Sequence, residues 1–319
     1  MIGIAGAGAF GTALALALAR KGQPVTLWAR DAAQADAMNT ARENARYLPG
    51  LALPDLISIT HSSGDLGGAQ ALLLAMPMQS LGAFLQGNPQ AVTGQPLIAC
   101  CKGVDLTSLQ GPSAVIRARY PDACIGVLTG PSFATDIAQG LPTALTLACA
   151  GGEGAMLQDL LSTPNLRLYL SDDVIGAELG GALKNVIAIA AGVVMGAGLG
   201  ASARAAIMTR GFVEMQRLTL ALGGQRDTLT GLSGFGDLVL TCASDQSRNF
   251  RYGLALGGGA GFDPAITVEG KATALAVARL SAERGIDMPI TQMIAALVAG
   301  EITLDRAISA LMSRPLTKE

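Results

Sequence analysis

Charge is scarce in this 319-residue chain: Asp, Glu, Lys and Arg make up 14% of it, against 50% apolar residues. That balance is the reverse of a disordered composition, and the length supplies a substantial core and suits two domains. A formal net charge of −2 with no basic tract makes nucleic acid and anionic membrane surfaces poor partners. Histidine is nearly absent, and the single one, His61, cannot build a familiar zinc site with the five cysteines Cys100, Cys101, Cys124, Cys149 and Cys242, which contain no C-x-x-C spacing. No metal is therefore expected; His61 reads as a surface or loop residue, and the cysteines as buried free thiols of a reducing cytoplasm. The 41 glycines follow no G-X-Y period, which excludes collagen. A membrane-length apolar run is also missing. The longest, 186–201, is glycine-rich, slightly short for a span and follows Lys184, so it predicts a buried core helix. The first ten residues, MIGIAGAGAF, lack a basic n-region and read as a strand rather than a signal peptide.

What is present divides at about residues 170–180. Before that point, short apolar runs at 2–5, 25–29, 57–60, 71–75, 97–101, 125–128, 144–148 and 166–170 predict strands. Helical spacing fills several of the gaps, as at 9–21 and 106–120. Near-continuous apolar strands separated by helices predict a parallel sheet covered on both faces. From Asp172 onward the pattern is helical, with 257–262 (GGGAGF) as the one stretch resembling a simple linker. The fold class is therefore α/β: a doubly wound sheet over 1–172 and an all-helical domain over 173–319.

Gly6-Ala7-Gly8-Ala9-Phe10-Gly11 is G-x-G-x-x-G placed directly after the first strand and opening a helix. Gly6 permits the tight turn, Gly8 lets backbone approach a pyrophosphate, and Gly11 lets helix and sheet pack closely. The helix N-terminus adds open N–H groups and a positive dipole end. At the end of the second strand, Arg30 precedes Asp31, so both the 2′-phosphate of NADP and the ribose hydroxyl of NAD have a partner. Asp31 alternatively caps the next helix. NADP is favoured, with NAD possible.

Six polar clusters stand against the apolar background. Lys102, in CKGVD, follows a strand whose carboxyl end faces the ligand crevice of an open sheet. Gly130-Pro131-Ser132-Phe133-Ala134 also joins a strand to a helix, with Ser132 either a cap or a ligand contact. Lys184-Asn185 sits inside the apolar helix. Its amine either snorkels from a helix end or faces a cleft, where burial would lower its pKa toward general acid/base work. Asp237, an isolated carboxylate in GFGDL, is its natural partner. Ser247-Arg248-Asn249 sets a guanidinium fork beside hydroxyl and amide groups, a combination suited to phosphate or carboxylate. Glu269, in VEGK, either caps a helix or binds ribose hydroxyls.

Taken in order, these segments resemble the bacterial NAD(P)-dependent glycerol-3-phosphate dehydrogenases over nearly the whole chain. The resemblance rests on GAGAFGTALA at 6–15, LWAR at 27–30, YLPG at 47–50, AMPMQSL at 75–81, KGVD at 102–105 and GPSFA at 130–134. It continues through LKNVIAIAAG at 183–192, GLSGFGDLVLTC at 231–242, SRNFRYG at 247–253 and VEG at 268–270. It implies a Rossmann-type domain followed by a helical domain like the C-terminal one of 6-phosphogluconate dehydrogenase. The implied reaction is reduction of dihydroxyacetone phosphate to sn-glycerol 3-phosphate for glycerophospholipid synthesis, in a cytoplasmic homodimer.

Residue by residue, the resemblance implies Lys184 as proton donor to the C2 oxygen, with Asp237 and Lys102 completing the catalytic set. Gly130, Ser132, Asn185, Ser247, Arg248 and Asn249 join these three as substrate contacts, Arg248 and Asn249 suiting the phosphate. Gly6, Gly8, Ala9, Phe10, Gly11, Arg30, Lys102, Ala134, Arg248, Thr267 and Glu269 are the implied cofactor contacts. Phe10 stands where the family often has Trp or Tyr. Met76-Pro77-Met78 replaces the usual Val-Pro-Ser or Val-Pro-Thr, and Thr267 replaces an aliphatic residue. The alternatives are a related two-domain reductase of hydroxy or keto acids, in which SRNF would bind a carboxylate, and a catalytically silent nucleotide sensor, which loss of Lys184 or Asp237 would favour.

Overall fold

The computed structural model describes residues 1–312. The last seven residues of the expected helical domain, 313–319, lie outside it. Eight strands form one sheet: β1 (Ile2–Ala5), β2 (Val25–Trp28), β3 (Ile57–Thr60), β4 (Leu72–Leu74), β5 (Leu97–Ala99), β6 (Ile125–Thr129), β7 (Thr143–Cys149) and β8 (Leu166–Ser171). Their order is β3-β2-β1-β4-β5-β6-β7-β8. The helices among them are α1 (Ala9–Arg20), α2 (Ala32–Ala41), α3 (Met78–Gly87), α4 (Pro112–Arg119), α5 (Ala134–Gln139) and α6 (Gly154–Leu161).

Every expected strand is present; the central β1, β4, β5 and β6 are buried throughout, whereas β3 and the edge strand β8 keep exposed positions. The sheet is not wholly parallel, however. β7 runs antiparallel to β6, with Gly126 opposite Cys149, and β8 is parallel to β7. The reversal follows from the short α5, after which the chain returns directly along β6. The helix expected from 106 begins instead at Pro112. A proline fixes φ and lacks an N–H, which suits a first helical turn and disfavours a helix interior.

Among the described residues, eight α-helices follow β8: α7 (Val174–Gly196), α8 (Gly200–Ala221), α9 (Arg226–Thr230), α10 (Asp237–Cys242), α11 (Arg248–Gly257), α12 (Glu269–Arg284), α13 (Pro289–Ala299) and α14 (Leu304–Met312). Helix α7 is the axle of this half, and its residues 176–194 are all buried. Among the described residues it is the one helix long and apolar enough to cross a membrane, with 89% of the apolar window buried inside the protein. Its partner α11 approaches to backbone contact, since a methyl at Gly192 would collide with Phe250 O and one at Gly253 with Ile189 O. The expected linker at 257–262 is more structured than that. Gly257 closes α11 against Val193, and Phe262 packs edge-on against Tyr252, with ring centroids 5.4 Å apart.

Candidate active site

Strand order places the site. β1, β4, β5 and β6 are parallel neighbours, so the residues leaving their carboxyl ends gather at one edge: Gly6, Ala75, Lys102 and Gly130. Between β1 and β4 the chain switches direction across the sheet, the position where open α/β sheets bind ligands.

The glycine loop fits a pyrophosphate. Gly6 has φ +125°, and a methyl there would strike Ala75 O, whereas a methyl at Gly8 would meet nothing within 4 Å. The loop is braced from behind, with Ala7 O accepting from Asn44 Nδ2 at 3.0 Å and Gln34 Nε2 at 2.9 Å. No side chain caps α1, so the amides of Ala9, Phe10 and Gly11 remain open to an anion. At the end of β2, Asp31 Oδ1 accepts from Ala33 N at 2.9 Å and caps α2. The Arg30 side chain is left exposed and makes no hydrogen bond among the described residues. His61 is an exposed loop residue whose carbonyl takes the indole N–H of Trp28 at 3.0 Å.

Two lysines from separate parts of the chain meet at one carboxylate. Asp237 opens α10 and is fully buried. Its Oδ1 accepts from Lys184 Nζ at 2.7 Å, and its Oδ2 from Lys102 Nζ at 2.6 Å. Lys184 comes from the middle of α7 and does not snorkel, being 7% exposed. Lys102 also donates to Gly130 O at 3.3 Å, which ties the KGVD and GPSFA segments together. Burial drives the Lys184 amine down to about 8, against the opposing pull of Asp237 and with a smaller push from Lys102.

Thr241, which the sequence reading passed over as a site residue, accepts a hydrogen bond from Lys184 Nζ at 2.7 Å. Its position four residues after Asp237 is the available signal: on a helix, i and i+4 share a face. The segment that precedes α10, 232–236, is a π-type turn rather than α-helix. Such turns are rare and occur often at functional sites.

The remaining residues arrive from α11 and α12. Ser247 caps α11, accepting from Phe250 N at 3.1 Å. Asn249 Nδ2 donates to Asn185 Oδ1 at 2.9 Å, and Asn249 Oδ1 accepts from Gly270 N at 2.9 Å, so one amide fastens α11 to both α7 and α12. Arg248 is exposed and makes no hydrogen bond or ion pair among the described residues. Glu269 begins α12 but does not cap it. Burial raises its carboxyl above the usual range, while the charges of Arg248, Lys102 and Lys184 pull it back. Ser132 is not a cap either; its hydroxyl donates to Gly130 O at 3.3 Å, and Phe133 caps α5 through backbone alone. Ala134 opens α5, half-buried, and Thr267 is exposed just before α12.

A doubly wound α/β nucleotide fold with a buried lysine at its crevice is the architecture of a nicotinamide-dependent reductase. The model of the NAD-dependent glycerol-3-phosphate dehydrogenase N-terminus matches residues 1–155, and that of the C-terminus residues 173–309. The chain belongs to this family. It is 57% identical over 319 residues to glycerol-3-phosphate dehydrogenase [NAD(P)+] of Ruegeria sp., covering 100% of this chain and 99% of that one. The enzyme of the same name from Cereibacter sphaeroides is 58% identical over 320 residues, covering 100% of both. A crystal structure of glycerol-3-phosphate dehydrogenase from Coxiella burnetii superposes with a TM-score of 0.92 at 36% identity, over 98% of each chain.

Proposed function

We propose that the chain reduces dihydroxyacetone phosphate to sn-glycerol 3-phosphate, reversibly, for glycerophospholipid synthesis. The observation that carries this reading is the Lys102–Asp237–Lys184 cluster at the sheet edge that also holds the glycine loop. In the division of labour proposed here, 1–172 binds the cofactor and 173–319 the substrate. Gly6, Gly8, Ala9, Phe10 and Gly11 receive the pyrophosphate. Arg30, Lys102, Ala134, Arg248, Thr267 and Glu269 complete the cofactor contacts. NADPH is favoured, because Asp31 is engaged as a cap while Arg30 is open to a 2′-phosphate. The bound nicotinamide supplies the hydride.

The residues of the chain do the rest. Lys184 Nζ gives its proton to the C2 oxygen of the ketone and takes it back in reverse. An amine held near 8 suits both directions at neutral pH. Asp237 and Thr241 aim that amine. Lys102 brings a second cation to the oxygen, where negative charge develops in the transition state. Arg248, open on the rim, and Asn249 hold the phosphate, with Gly130, Ser132, Asn185 and Ser247 around the three-carbon chain. Binding the phosphate away from the reacting carbon supplies the orientation that raises the rate. A cytoplasmic homodimer is the assembly we propose.

The deciding experiment follows NADPH and then NADH absorbance with dihydroxyacetone phosphate, unphosphorylated dihydroxyacetone and ketopantoate. Rapid, phosphate-dependent oxidation is the expected result. Turnover of the carboxylated substrate instead would assign Arg248 to a keto acid.

A further inference from the structure

The segment after Lys102 has no regular structure until α4 begins at Pro112, yet its backbone is held at one point from both halves of the molecule. Gln79, the second residue of α3, donates from Nε2 to Val104 O at 2.9 Å and accepts at Oε1 from Leu106 N at 3.1 Å. Arg279 of α12 donates from Nη1 to Leu106 O at 3.0 Å. Between these ties, Asp105 turns the chain, its Oδ1 accepting from the amides of Thr107 and Ser108 at 3.1 and 2.7 Å. The passage is narrow: a methyl at Gly103 would stand 3.0 Å from Thr273 Oγ1 on α12 and 3.3 Å from Met78 Cβ on α3. Val104 is buried in the helical core, and Leu109, at φ +56°, packs against the same core.

We propose that Gln79 and Arg279 are positioning residues for Lys102, clamping the loop that carries it to the cofactor side through α3 and to the substrate side through α12. Glutamine is suited to this grip because one side chain both donates and accepts, so it fixes Val104 and Leu106 together and stops the loop from sliding. Each tie leads to an element that borders the site. α3 follows directly from Ala75, whose carbonyl packs against Gly6, and α12 begins with Glu269. Lys102 thereby stays within 2.6 Å of Asp237 only while both halves hold its loop.

The inference rests on the reductase reading for its kinetic arm alone. Gln79→Ala and Arg279→Ala are made in the full chain, each also in a Lys102→Ala background. Gln79 is exposed, so its variant folds and keeps its thermal midpoint. Losing a net hydrogen bond or two at the loop lowers kcat about tenfold and raises KM for the cofactor, which Lys102 also contacts in the proposed site. In the Lys102→Ala background the same substitutions cost nothing further, since they act through that lysine. Equal losses in both backgrounds overturn the proposal. A second readout needs no turnover: amide exchange across 102–110 quickens in Gln79→Ala, and unchanged exchange overturns the clamp whatever the kinetics show. Wild-type protein that leaves dihydroxyacetone phosphate untouched, with exchange still quickened by Gln79→Ala, sinks the functional reading and keeps the clamp.

Discussion

A lysine amine near 8 predicts opposite pH limbs for the two directions of one reaction. Ketone reduction needs the ammonium, so its kcat falls as pH rises through about 8. Alcohol oxidation needs the free amine, so its kcat rises through the same value. Asp237 is among the groups that hold the amine up against desolvation, so Asp237→Asn moves both limbs to lower pH. It also leaves two lysines facing a neutral amide, a loss of about 3–5 kcal/mol by analogy with broken buried pairs. Kinetic pH profiles in each direction, with thermal unfolding beside them, check this, and limbs that stay in place would remove Asp237 from tuning. At this scale the chemistry was legible wherever a charged residue interrupted an apolar run, as Lys184 and Asp237 do. Thr241 was hidden because a hydroxyl in an amphipathic helix costs little and attracts no notice. The capping role of Asp31 was legible as one of two readings, and only the 2.9 Å bond to Ala33 N shows the cap.

Elements decide how the proposed anion site is held. Helix α11 presents Arg248 and Asn249 from its first turn, and its approach to α7 is set by four glycines, Gly192 and Gly196 against Gly253 and Gly257. Gly192→Ala forces the helices apart at Phe250 O, and overpacking of this kind costs about 1–3 kcal/mol. Because α11 pivots with its first turn, KM for the phosphorylated substrate rises more than KM for the cofactor; an equal rise in both would place the anion site elsewhere. Of these four only Gly257 fell in the stretch read as a linker, and the pairing itself was not legible, since each glycine's value lies in a partner helix far along the chain. Strands were legible for the opposite reason: each is local, and the central ones are short apolar runs. The direction of β7 was not, because an apolar run reads the same in a parallel or an antiparallel neighbour, and it was the brevity of α5 that decided it.

At the scale of the whole molecule, the two halves are joined by polar contacts as well as by the reaction they share. Glu178 of α7 is buried, and its Oε2 accepts from Ser113 N at the start of α4 at 3.0 Å, filling the space that Gly111 leaves. The cofactor binds the folded protein and not the unfolded chain, so it raises stability by about 2.7 kcal/mol at a hundred times its Kd. With Arg30 open to a 2′-phosphate, NADPH raises the thermal midpoint more than NADH at equal concentration. A larger shift with NADH would assign Arg30 to adenine stacking alone. Two-domain organisation was readable from the change in periodicity near Ser171, whereas the Asn185–Asn249–Gly270 relay joining α7, α11 and α12 was not, because it depends on packing across 85 positions of chain.

Helix α7 has a second life before the protein is folded. As it leaves the ribosome it is a 23-residue segment with the hydropathy of a membrane anchor, and nothing yet covers it. Lys184 stands near its middle, where a lysine costs about 2.5–3.5 kcal/mol on the scale by which the insertion machinery sorts helices. The lysine proposed as proton donor is therefore expected to lower the tendency of this segment to insert. Lys184→Leu, fused to an insertion reporter as the isolated α7 segment, enters the membrane more often than the native segment does. Equal insertion of the two would confine the lysine's role to the folded enzyme.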